Sequence, residues 1–160
     1  MITSFENIHQ SVTSLVDFAL YWRFKGETIP DRDLKLIAPL NAQGATFLKD
    51  FLIKAQLHAN EPFKKDFFET EEHIIMMDDN AARIKQWLYG KGVQPDEQVY
   101  LLWNSKVAAV VPFSVLVEYF EDFYYPSSDD LTVFDGQLNW ALLFHHAEVL
   151  FWGSGRPIPI

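Results

Sequence analysis

The chain has 160 residues, the size of one ordinary domain, and 49% of them are hydrophobic, enough for a core without staples. It carries 22 acidic against 13 basic residues, a formal charge of −9, and no cysteine. The missing cysteines exclude disulfides, thiolate zinc sites and Cys nucleophiles. The charge opposes a nucleic-acid backbone, and the basic candidates Lys64, Lys65 and Lys91 are sparse and lie among acids. No basic stretch precedes an apolar run at the N-terminus, and the longest apolar runs, such as 107–113, are far too short to span a bilayer. The expectation is a soluble, cytoplasmic protein without a nucleic-acid or membrane partner.

Val12, Leu15, Val16, Ala19 and Leu20 recur at helical spacing, so 9–22 reads as a helix, closed near Gly26. A short helix follows Pro30, with Asp31 as its cap and Leu34 and Ile37 inward, and Pro39 stops it. Asn41 can cap the next helix, 42–58, whose apolar face is Ala45, Leu48, Phe51, Leu52 and Ala55. Gly44 is costly there, about 1 kcal/mol against Ala. Pro62 and the rings of Phe63, Phe67 and Phe68 suggest one more short helix. Residues 69–72 read as a polar break, and 73–77 as a strand or a buried turn. The oxygens of Asp78, Asp79 and Asn80 suit the start of a helix running to Tyr89 and ended by Gly90.

After Pro95 the period changes to that of strands. Residues 99–103 and 107–111 form a hairpin whose unbroken apolar character implies cover on both faces. Ser114 caps a helix over 114–125 with Val115, Leu116, Tyr119, Phe120 and Phe123 inward. Residues 126–130 are a loop by composition. Then Asp135-Gly136 turns a strand at 131–135 into a long partner at 139–146, and Ala147-Glu148 turns it again into 149–152. The expected fold is therefore α+β in a single domain: N-terminal helices, then a mainly antiparallel sheet of about five strands in ββαβββ order.

His, Glu and Asp gather only around this last unit. His146 and Glu148, with Asp129 or Asp130 from the preceding loop, form the candidate catalytic set. Strand alternation sends His145 and His146 to opposite faces, so both cannot hold one ion; no metal or cofactor is expected. Ser127 and Ser128 lack a nucleophile elbow. Pro157 and Pro159 deny the glycines near Arg156 the helix a phosphate loop needs. A second surface is acidic and aromatic: Glu118, Glu121 and Asp122 with the rings of Tyr124 and Tyr125, suited to a basic protein partner.

Two stretches carry a resemblance. One is Trp22-Arg23-Phe24 with 29–40 (IPDRDLKLIAPL). The other is 125–130 (YPSSDD) with Trp140 and 145–148 (HHAE). Together they resemble a family of small proteobacterial proteins, a domain of unknown function, which brings no catalytic residues to carry over. The second stretch is also similar to segments of bacterial toxin-immunity proteins, which implies a cytoplasmic toxin inhibitor. The sequence thus favours a non-enzymatic protein-binding domain. A small hydrolase or metal-dependent enzyme built on His146 is the alternative, and a homo-oligomer joined by a sheet edge or the 157–160 tail is another.

Overall fold

The computed structural model describes residues 2, 4–26, 28–76 and 81–156; the predicted cap at 78–80 and the 157–160 tail lie outside them. Seven strands form one sheet: β1 (Ala38–Leu40), β2 (Thr70–Ile75), β3 (Gln98–Asn104), β4 (Val107–Pro112), β5 (Leu131–Phe134), β6 (Trp140–His145) and β7 (Val149–Ser154). Their order across the sheet is β1-β4-β3-β5-β6-β7-β2, and every neighbouring pair is antiparallel. The class is α+β, but the expected five strands in ββαβββ order are corrected to seven in this order. The two additions come from the N-terminal half and form the two edges. β1 contains Pro39, which an edge strand tolerates. β2 begins Thr70-Glu71-Glu72, charges that read as a polar break yet also blunt an exposed edge.

Alternation along the strands sorts the core into two layers. Val99, Leu101, Val111, Leu131, Val133, Leu142 and Phe144 face one side, covered by α1 (Tyr21–Phe24), α4 (Ala81–Tyr89), α5 (Phe113–Glu118) and α6 (Phe120–Phe123). Leu102, Ala108, Phe134, Ala141 and Leu143 face the other, covered by α3 (Ala42–Ala55) and the rings of 63–68. A further helical turn, α2 (Asp31–Leu34), sits before β1. Leu48 and Leu101 are fully buried, each stabilising the fold by about 1.5–3 kcal/mol against an exposed side chain.

α3 forms for the reasons its sequence states. The Asn41 side chain accepts the Gly44 amide at 3.1 Å, Ala45, Leu48 and Leu52 make a buried stripe, and Gln56 at φ 60° ends the helix. The predicted helix over 9–22 is replaced by two 3-10 turns, Phe5–Ser11 and Leu15–Asp17, then α1. Between the turns Val12 bridges Leu40. Thr13 donates to the Pro39 carbonyl at 2.9 Å and Asn41 to the Ser11 carbonyl at 2.8 Å. Pairing with β1 overrides a helical spacing weakened by β-branched Val12, Thr13 and Val16. The helix predicted over 114–125 is broken at Tyr119, where φ reaches −122°.

Gly44 is explained by close packing: a Cβ there would stand 2.2 Å from Ser11 Oγ and 3.0 Å from Leu40 Cβ. Helix propensity alone would have Gly44→Ala stabilise the protein by about 1 kcal/mol. The packing predicts the reverse, a loss of roughly 1–3 kcal/mol, readable as a lower urea midpoint. A raised midpoint would contradict this account of the α3–β1 contact.

Candidate metal centre

The 125–130 loop is anchored first. Arg23, from α1, forms a bidentate pair with Asp129 (Nη1 to Oδ2 at 2.6 Å, Nη2 to Oδ1 at 3.1 Å), with the two side chains only 5% and 10% exposed. The guanidinium lies 3.9 Å from the Tyr125 ring centre, and Asp129 Oδ2 also accepts the Tyr125 amide at 2.8 Å. Asp129 is therefore committed to structure, and of the two aspartates in the loop only Asp130 is left exposed. Asp130 points outward and accepts the His146 amide at 2.8 Å and its Nδ1 at 3.0 Å. Burial pushes the Asp130 carboxyl up, but these hydrogen bonds and the histidine charge outweigh it, so the group is held below its ordinary value.

The strand alternation expected for the two histidines does not hold, because β6 ends at His145. Residues 146–148 form the hairpin turn, with Glu148 left-handed at φ 64°. That turn brings the two rings together, with centres 4.1 Å apart. It is tied down on several sides. The Tyr124 hydroxyl donates to the His145 carbonyl, Ser127 N–H to the His146 carbonyl at 3.2 Å, and Met76 N–H to the Glu148 carbonyl at 2.8 Å. Asp130, His145 and His146 each present a ligand atom within 4.8 Å of the other two.

His145 has a second partner that no spacing announces. Glu61, 84 residues away, takes its Nε2, while its Nδ1 accepts the Ala147 amide at 3.0 Å. The pattern assigns the neutral tautomer with the proton on Nε2. His58 is similarly fixed: Nδ1 lies 2.7 Å from the Pro62 carbonyl and Nε2 3.0 Å from the Thr132 hydroxyl. A carbonyl only accepts, so Nδ1 carries the proton and Thr132 donates to Nε2. Burial holds the His58 pKa below its usual value. His58, Glu61, Asp130, Thr132 and His145 all line one pocket of about 420 Å³, floored by Leu52, Leu102 and Leu143. No residue spacing signals Glu61, His58, Thr132 or Arg23; His145 was legible only by ending the strand one residue sooner.

The remaining predicted residues lie elsewhere. The Glu148 side chain lines a separate cavity with Met76, Glu121 and Tyr124, and makes no hydrogen bond to His146 among the described residues. Tyr124 is buried, its hydroxyl pushed up to about 12 by burial and then by the Glu148 charge. Tyr125 is packed on Arg23, so the pair of exposed rings expected at the acidic edge is corrected. Glu118 is exposed but accepts the Tyr89 hydroxyl at 2.7 Å, and burial, then this hydrogen bond and the Glu118 charge, raise that tyrosine. Asp122 is half-buried, its carboxyl raised by burial and then by exposed Glu121.

Two measurements check these assignments. Asp129→Ala strands a buried cation and should cost about 3–5 kcal/mol, whereas the double variant Arg23→Met, Asp129→Leu should recover much of it; equal losses in urea melts would contradict the pairing. For His58, a lowered folded pKa means that the unfolded chain binds the proton more readily. Stability is then full above pH 6.5 and falls as pH drops through that value toward the folded pKa. The urea midpoint should fall between pH 7.5 and 5.5, and His58→Gln should shrink the difference. An identical difference in the variant would assign the effect to other groups.

No protein-family model, curated protein or solved structure matches this chain.

Proposed function

We propose that the chain is a small metal-dependent hydrolase in which Asp130, His145 and His146 hold a divalent transition-metal ion, beside the pocket that Asp130 and His145 line. The observation that carries the reading is the convergence of their three ligand atoms within 4.8 Å. Two imidazoles and one carboxylate suit Zn²⁺ or Fe²⁺ and leave positions for water and substrate, the arrangement used in metal-assisted hydrolysis. The Glu61 contact supports the reading further. A carboxylate on the far nitrogen of a ligating histidine fixes its tautomer and raises its basicity. The ion would take the place of the Ala147 amide proton on His145 Nδ1 and of the proton between His146 and Asp130. The pocket of about 420 Å³ that Asp130 and His145 line lies in the range of small-molecule sites. The protein-binding reading has less support, since one of its two rings is buried and the other covers Arg23.

Scanning calorimetry tests this directly. At pH 7.5, Zn²⁺ at a hundred times its Kd should raise Tm by roughly 5–10 °C. His146→Ala and Asp130→Asn should abolish the shift. Because the ion displaces a proton, binding should weaken toward pH 5.5. A wild-type protein indifferent to Zn²⁺, Fe²⁺ and Co²⁺ would end the proposal.

A further inference from the structure

The polar groups around the pocket are committed unevenly. Its carboxylates are each engaged by a histidine, Asp130 by His146 and Glu61 by His145. Thr132 and His58 satisfy one another, and Trp103 Nε1 donates away from the pocket to the Phe123 carbonyl at 2.9 Å. Asn60 spends Oδ1 on the Lys65 amide at 3.0 Å, and Asn104 spends its Oδ1 on the Lys106 amide at 2.8 Å. Among the described residues both therefore keep Nδ2 with two unused donors, and Lys49 makes no hydrogen bond or ion pair. What the pocket still offers a ligand is mainly N–H donors above an apolar floor of Leu52, Leu102 and Leu143, all buried.

We infer that this pocket binds a small carboxylate with an apolar body, received by the Lys49 ammonium and the Asn60 and Asn104 amides. A carboxylate suits this set better than a phosphate ester. One lysine balances one negative charge, while Glu61 and Asp130, which also line the pocket, would repel a dianion more strongly than a monoanion. Its apolar body replaces water over the leucines, and its far end reaches Asp130 and His145. That the carboxylate is a substrate, acted on at that end, rests on the metal reading above.

The test uses 4-methylpentanoate and its neutral isostere 4-methylpentanamide, titrated into the full chain and followed by the amide resonances of Asn60, Asn104 and the floor leucines. The acid should bind at least tenfold tighter than the amide. Lys49→Met should erase that preference and Lys49→Arg should keep most of it; Lys49 is exposed on α3, so both variants should fold normally. Equal binding of acid and amide, or an undiminished preference in Lys49→Met, overturns the inference. Zn²⁺ titration of the same samples separates the two claims. Zinc bound without acid preference leaves the metal centre and removes the carboxylate; acid preference without zinc supports the ligand class and overturns its role as substrate.

Discussion

The buried pair between Arg23 and Asp129 is the contact on which the rest of the site depends. It joins a four-residue helical turn near the N-terminus to a loop 106 residues later. Neither segment is stable on its own: α1 is too short, and 125–130 has no regular structure. The desolvation of two charges is offset by bidentate geometry, by the Tyr125 amide on the carboxylate and by the Tyr125 ring on the guanidinium. The balance is not complete, since Arg23 Nε is buried without a partner among the described residues. Such an arrangement fixes one geometry more than it adds stability.

That fixed geometry propagates outward by one residue. With Asp129 turned inward, Asp130 turns out toward the β6–β7 turn and receives both the backbone and the ring of His146. The turn is then fastened by Tyr124 at the end of α6, by Ser127 in the loop and by Met76 just after the edge strand β2. The site is therefore held by backbone contacts as well as side chains.

The opposite wall is assembled independently. The segment after α3 folds back so that His58, Glu61 and Pro62 face the sheet, with His58 closing on the Pro62 carbonyl and on Thr132 of β5. Glu61 is the link between the walls, because its partner His145 belongs to the hairpin. In an acidic chain, where carboxylates are the commoner charge, the two hairpin histidines take the pocket's carboxylates, Glu61 and Asp130, into hydrogen bonds. The consequence is a pocket whose acidic groups are committed and whose free groups are donors.

The sequence by itself determined the local elements that depend on neighbouring residues. The Asn41 cap, the buried stripe of α3, the apolar strands of 98–112 and the turn at Asp135-Gly136 are legible because cap, period and turn chemistry act over a few residues. It also marked 126–148 as the place where acids and histidines gather. Only the tertiary structure decided the edges of the sheet, since Thr70–Ile75 becomes a strand through pairing with β7 and Ala38–Leu40 through pairing with β4. It decided the site as well. Which aspartate is buried depends on Arg23, and whether two adjacent histidines diverge or meet depends on the residue at which β6 stops. Glu61 joins them through a contact spanning 84 positions. Pairings at such separations leave no period in the chain, because their free energy comes from burial and hydrogen bonding between segments that meet only after folding.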